Sequence, residues 1–154
     1  MTIDQVATLA LALPETAEGL RYGSRSWGVR GKVFAWERPF SKADIKRFGE
    51  SVPPGGPILA ISVADLNDKE AVLAARSGAF FTIPHFDGYP AVLVELEKVS
   101  RAALHEALID GWLCCAPAAL AGAYLSSTRR MGTGTVSTAP QGGVIQRTES
   151  PPSG

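Results

Sequence analysis

Soft metal ligands are scarce in this chain: two histidines, His85 and His105, and two cysteines, Cys114 and Cys115, among 154 residues. The cysteines are adjacent. Neighbouring cysteines rarely close a disulfide without backbone strain, and no second pair exists to complete a zinc site. Both read as small core residues in a reduced compartment. His105 stands beside Glu106 in a helical pattern, where successive residues point about 100° apart, so the two do not make a metal fork. No apolar run approaches the ~18 residues of a membrane span. The first residues show no basic, apolar, then small-residue leader layout. A soluble cytoplasmic protein with no membrane partner is expected. An excess of one charge is also missing: 15 Lys and Arg balance 15 Asp and Glu, which excludes a polycation built to coat nucleic acid. There is no G-x-S-x-G elbow and no P-loop. Gly132-Thr133-Gly134 has no strand before it and is not a dinucleotide fingerprint. No catalytic set, metal or cofactor is expected.

What is present is a chain of one domain's length with 45% apolar and 19% charged residues, enough for a packed core. Its densest stretch runs from Phe80 to Leu96. Two apolar, β-branched and aromatic runs flank Asp87-Gly88, which reads as two strands at the centre of a sheet. Before it, Thr2 to Leu13 is a helix with capping-box spacing at Thr2 and Gln5, stopped by Pro14. Glu15 to Arg25 reads as a connector. Ser26–Arg30 and Val33–Glu37 flank Gly31-Lys32 as a β-hairpin. Phe40 to Gly49 is a short helix, with Ser41 and Asp44 at its cap and Ile45 and Phe48 on its inner face. Residues 51–57 form a loop and Ile58 to Val63 a buried strand. Asp65 caps a helix to about Arg76, and Ser100 caps one carrying Leu104, Leu108, Trp112 and Cys115. Pro117 breaks that helix, and a last one follows from Ala118 to about Ser127. Residues 128–154 are dominated by Ser, Thr, Gly, Pro and Gln without apolar period, and read as a disordered tail after a domain of residues 1–127. The fold class is α+β: a mostly antiparallel sheet with helices packed on one face.

Net neutrality hides a segregation. From Arg21 to Arg47 there are eight basic residues and two acidic ones, a net +6. The rest of the chain up to Thr128 holds four bases and twelve acids. Arg30 and Lys32 sit at the hairpin tip, Lys42, Lys46 and Arg47 on the short helix, and Arg25 and Arg38 flank them. One reading is an anion-binding wing holding phosphates of double-stranded DNA, with Trp27, Phe34 and Trp36 interleaved. The plainer reading is a solvated face paired with the acidic remainder, its aromatics facing the core. The Pro84-His85-Phe86-Asp87-Gly88-Tyr89-Pro90 turn offers His85, Asp87 and Tyr89 as a ligand turn, with His85 as a base oriented by Asp87. Its plainer reading is that Asp87-Gly88 simply makes the turn.

The segment Trp27-Gly28-Val29-Arg30-Gly31-Lys32-Val33-Phe34-Ala35, the run from Phe81 to Val94, and Trp112 with Ala116-Pro117 resemble the MmcQ/YjbR family of small bacterial proteins, over about residues 1 to 128. The resemblance implies a CyaY-like (frataxin-like) α+β fold and a DNA-binding role through a "double-wing" arrangement of β-elements. It carries no catalytic residues. Iron binding does not transfer, since the first helix has only Asp4 where a ridge of acids would be needed. Three functions are therefore in view: a non-enzymatic DNA-binding module, a small-molecule-binding protein or enzyme using the His85 turn, and a protein-interaction module with the tail as tether.

Overall fold

A computed structural model describes residues 1–49, 54–75 and 78–133; the side chains of residues 129–133 are outside the description. The expected tail from residue 134 onward and residues 51–53 of the expected 51–57 loop lie outside the described residues. The contacts divide the chain into a unit of Met1–Ala116 and a second beginning at Pro117. Among the described residues the first unit contains a six-stranded sheet, four α-helices and one 3-10 turn.

Helix α1 (Ile3–Leu11) is started by the expected reciprocal cap: Gln5 N donates to Thr2 Oγ1 at 3.1 Å, and Thr2 N donates to Gln5 Oε1 at 2.8 Å. Strands β1 (Thr16–Arg21), β2 (Ser24–Val29) and β3 (Lys32–Glu37) follow, then helix α2 (Lys42–Arg47). Strand β4 (Ile58–Ser62), helix α3 (Leu66–Ala75), strand β5 (Phe80–Phe81), a 3-10 turn (Pro84–Phe86), strand β6 (Ala91–Glu95) and helix α4 (Arg101–Cys115) complete the unit. All strand pairs are antiparallel, in the order β1-β2-β3-β4-β6-β5. The α+β class with an antiparallel sheet and helices is thus the observed one.

Four expectations need correction. Glu15 to Arg25 is not a connector: most of it is β1, an edge strand paired with β2 from Thr16↔Val29 to Arg21↔Ser24. Edge strands tolerate Glu, Gly and Arg, which hides them from propensity arguments. Phe80-Phe81 is a two-residue edge strand, so of the two expected central strands only β6 lies inside the sheet. On α2, Ile45 is 49% exposed, and Asp44 is the buried residue because its carboxylate completes the cap. Cys114 is exposed and Cys115 half-buried, not a pair of core residues. The second unit holds helix α5 (Ala118–Thr133), which runs six residues past the expected end at Ser127.

The sheet is sandwiched between unlike layers. On one side α4 crosses β2, β3 and β4 and α1 packs on β1 and β2. Leu104, Ala107, Leu108, Gly111 and Trp112 form the buried stripe of α4, and Trp112 Nε1 donates to the Pro14 carbonyl at 3.0 Å. The other face is closed by aromatics. Trp36, Ile58, Ala60, Leu93, Ile83 and Phe86 are buried together, with Val33, Phe40, Phe48 and Phe81 packed against them. A bulge creates this arrangement. Trp27 pairs with Ala35 but Gly28 with Val33, so Phe34 is left over and Val33 joins Trp36 on one face. Trp27, Phe34 and Trp36 are all buried, as packing residues should be.

Gly111 lets α4 approach the sheet. A Cβ there would stand 2.9 Å from Ile61 Cγ2 and within 3.3 Å of the Ser62 and Phe34 carbonyl oxygens. Gly111→Ala should therefore destabilise by ~1–2 kcal/mol, overpacking outweighing the ~1 kcal/mol that Ala gains in a helix. Urea unfolding would read this as a lowered midpoint at constant slope; a raised midpoint would contradict the close approach.

Candidate functional site

Once β1 is placed beside β2, the basic segment meets its acids. Arg25, on β2, chelates Glu18 of β1 through Nε (2.9 Å) and Nη2 (3.0 Å), and its Nη1 reaches Asp4 of α1 at 2.8 Å. Glu18 also accepts from Trp27 Nε1 at 3.1 Å. The hydrogen bonds from Arg25 and the Trp27 indole hold the Glu18 carboxyl below its ordinary range, burial pulling the other way. Arg30 grips Glu15 with two hydrogen bonds at the hairpin tip, lowering the Glu15 pKa in the same way. Arg38 Nη1 donates to Asp44 Oδ2 at 2.9 Å, with Asp44 almost fully buried, and Arg47 stands 3.7 Å from the other oxygen. Burial would raise the Asp44 pKa, but the Ser41 backbone N–H and Arg38 outweigh it and the net direction is down.

Of the seven expected phosphate-binding residues, the four arginines Arg25, Arg30, Arg38 and Arg47 therefore already hold carboxylates. Lys32, Lys42 and Lys46 are exposed. The sequence segregation of charge does not become a spatial one, because β1 and the residue before it contribute Glu18 and Glu15 to the same sheet edge.

A different place in the unit is built as a pocket. Arg21, Tyr22, Trp36, His85, Phe86 and Tyr89 line a cavity of about 180 Å³. Three separate stretches make it. Strand β1 ends in Arg21 and turns through Tyr22 (φ 53°) and Gly23 (φ 81°), the pair of positive φ angles that a tight hairpin turn requires. Strand β3 supplies Trp36. The third stretch is the expected ligand turn. Its 3-10 turn leads into Asp87 (φ −60°, ψ 132°) and Gly88 (φ 75°), closed by Tyr89 N donating to Phe86 O at 3.0 Å. That is a type II turn, where Gly supplies the positive φ. His85 and Tyr89 face the cavity; Asp87 does not line it.

Trp36 is the floor. Phe86 stacks on it (centroids 6.4 Å, 24°), and Tyr89 meets both rings edge-on, at 6.4 Å from Trp36 and 5.6 Å from Phe86. The Arg21 guanidinium lies 4.5 Å from the centre of the Trp36 ring and 5.6 Å from Tyr22. Its Nη2 donates to Tyr89 Oη at 3.2 Å. Its Nε is buried and has no acceptor among the described residues. A dry, unpaired N–H of this kind is disfavoured by about 1–3 kcal/mol. No carboxylate lies within ion-pair distance of Arg21 among the described residues, in contrast to the four arginines above. Arg21 was absent from the residues expected to bind ligand. Reading β1 as a strand would have found it, since its register with Ser24 and the neighbouring Tyr22-Gly23 turn direct it toward Trp36.

A buried ammonium pins the turn. Lys69 of α3 donates to the carbonyls of Phe86 (2.6 Å) and Tyr89 (2.9 Å). Burial pushes its pKa below 10.5, and the charge of Asp87 opposes that shift. Near the C-terminal end of α4, the Cys114 thiol is pushed up to about 11, by partial desolvation first and then by the nearby charges of Cys115, Asp68 and Asp110. Such a thiol is not a nucleophile at neutral pH.

No family profile matches the chain. The uncharacterised protein Rv2570 of Mycobacterium tuberculosis is 42% identical over 130 residues, covering 82% of this chain and 98% of the relative. The uncharacterised protein Mb2600 of Mycobacterium bovis matches to the same extent. This chain belongs to the family of these mycobacterial proteins. A crystal structure of a Pseudomonas syringae protein superposes with a TM-score of 0.57 at 13% identity, over 75% of this chain and 99% of the other, a likeness of fold. Among the described residues no helix is long and apolar enough to cross a membrane.

Replacing Lys69 by Met removes the second donor from the Phe86 and Tyr89 carbonyls, which keep the Tyr89 and Ala91 N–H groups, and should lower stability by ~1–3 kcal/mol. The deficit should widen with pH. Burial favours the neutral amine in the folded state, so wild type gains stability as pH climbs from the lowered folded pKa toward 10.5, while Met has nothing to titrate. Denaturant unfolding of both proteins between pH 7 and 10.5 checks this; a pH-independent difference would show that the ammonium is not desolvated.

Proposed function

We propose that this protein binds a small molecule, without catalysis, in the pocket formed by Arg21, Trp36 and the His85 turn. The observation that carries the proposal is the Arg21 guanidinium, which lies on Trp36 at the wall of a cavity and has a buried N–H with no acceptor among the described residues. Elsewhere on the hairpin the fold gives its arginines carboxylates; here it gives one an aromatic bed and an opening. Convergent polar groups in an aromatic-lined concavity are the usual form of a ligand site. Binding is favoured over catalysis because His85 has no partner carboxylate lining the cavity with it, and neither cysteine lines the pocket. A reduced, cytoplasmic setting belongs to the same proposal, supported by two unpaired thiols in the chain.

The DNA-binding reading, with the MmcQ/YjbR kinship and CyaY-like fold that the sequence motifs imply, is the second proposal. Three exposed lysines favour it: Lys32 at the hairpin and Lys42 and Lys46 on α2. It now predicts a shallower salt response than seven cations would give. Three phosphate contacts correspond to a log–log slope of about −2.7, seven to about −6.

Both readings can be separated on ¹⁵N-labelled full-length protein. A fragment library screened by NMR should give hits whose shift changes cluster at Arg21, Tyr22, Trp36 and Tyr89. A duplex DNA titrated across salt concentrations should bind weakly or not at all. Fragment hits scattered over the surface, together with saturable duplex binding that shifts Lys32, Lys42 and Lys46, would overturn the pocket proposal in favour of DNA.

A further inference from the structure

The lining of the pocket restricts what it can take, and the restriction names a ligand class; this inference rests on the pocket reading above. We infer that the ligand is a small aromatic carboxylate, its ring against Tyr22 and Tyr89 at the mouth of the Trp36 pocket and its acid group on the Arg21 guanidinium.

The sign of the charge comes first. Aromatic boxes often hold cations, but this one is already occupied by a cation of its own, 4.5 Å over Trp36. A second cation would meet like charge in a partly desolvated site. An anion meets the one guanidinium on this sheet that lacks a carboxylate among the described residues. Arg21 has five N–H donors, of which Nη2 engages only a phenol, Tyr89 Oη at 3.2 Å, and Nε engages nothing described. A planar carboxylate matches the fork of a guanidinium and makes the stronger, charge-assisted bond, so it can take over from the phenol.

The number of charges comes next. Among the described residues Arg21 is the one permanent cation in the lining; Arg38, 5.5 Å from the Phe86 ring, is paired with Asp44. A phosphoryl group, with close to two negative charges at neutral pH, would be left under-compensated there, whereas a carboxylate is matched one to one. Size fits the same class. The cavity of about 180 Å³ has room for a single ring with its acid group. The walls fix the rest. Trp36 and Phe86 are buried and locked to one another as a rigid back wall, and Tyr89, 41% exposed, is a ring left uncovered for a flat apolar body. Tyr22, 93% exposed at the hairpin turn, offers an uncovered ring at the mouth. His85, also at the rim, adds a ring nitrogen to accept from or donate to a substituent of the ligand.

The test compares three probes of one shape and different charge on the full-length protein: benzoate, benzamide and benzylamine. The readouts are the Arg21 Nε–H and Trp36 indole N–H resonances. Benzoate should shift both saturably, bind at least about tenfold more tightly than benzamide, and lose that advantage in Arg21→Gln. Benzylamine should leave both signals in place. If benzamide or benzylamine binds the same resonances as well as benzoate does, the carboxylate assignment falls while the pocket stands. If all three leave Arg21 and Trp36 unmoved, the pocket falls with it. Should Arg21→Gln fail to fold, the benzoate-to-benzamide ratio in the wild type decides alone.

Discussion

The position of Trp36 governs the second face of this sheet. A bulge in β3 leaves Phe34 unpaired and brings Val33 and Trp36 into one aromatic layer. On that indole the turn from Pro84 to Pro90 finds its platform, through Phe86 and Tyr89, and Arg21 finds its bed. The opposite face has α4 and α1 to cover it; this one has side chains, the six-residue helix α2 and a turn pinned from α3 by the Lys69 ammonium. Where that cover gives way to single side chains, between the turn and the end of β1, a gap is left, and the pocket is that gap.

The electrostatics follow from strand order. Eight cations crowded between Arg21 and Arg47 look like a wing for an anion when read along the chain. Folding inserts β1 at their side, and Glu15 and Glu18 neutralise Arg30 and Arg25 in bidentate pairs. Exposed pairs of this kind add little stability, but they do remove the guanidinium forks from competition for phosphate. The Arg38–Asp44 pair is different in kind: a carboxylate buried at a helix cap is tied to the chain leaving β3, and it anchors α2 beside the aromatic layer. Arg21 escapes both fates. It sits at the end of an edge strand, past the last acid of β1, where the nearest available surface is aromatic.

Much of the scaffold was legible because local chemistry speaks for itself. The Thr2/Gln5 and Ser41/Asp44 reciprocal caps, the Ser100 cap, the β2–β3 hairpin and the α4 stripe all rest on residues a few positions apart. The α+β class followed from them. What stayed hidden depends on distant partners. Thr16-Ala17-Glu18-Gly19-Leu20-Arg21 has the composition of a loop and is a strand only because β2 offers an edge. The turn with His85 and Tyr89 was singled out from sequence, yet its meaning needed Arg21 and Trp36 from elsewhere. Ile45 was expected inside because it is apolar; the buried position went to Asp44, whose carboxylate serves two elements at once.

The central claim is that Arg21 is kept for a ligand and not for the fold. Parallel urea unfolding of Arg21→Met and Arg38→Met tests it directly. Arg38→Met removes the 2.9 Å ion-pair partner of the buried Asp44 carboxylate, leaving it the Ser41 N–H and Arg47 at 3.7 Å, and should lose ~2 kcal/mol or more. Arg21→Met should stay within ~0.5 kcal/mol of wild type or exceed it, the relief of a dry N–H offsetting the lost ring contact. A loss at Arg21 as large as that at Arg38 would make this guanidinium a structural member and contradict the account.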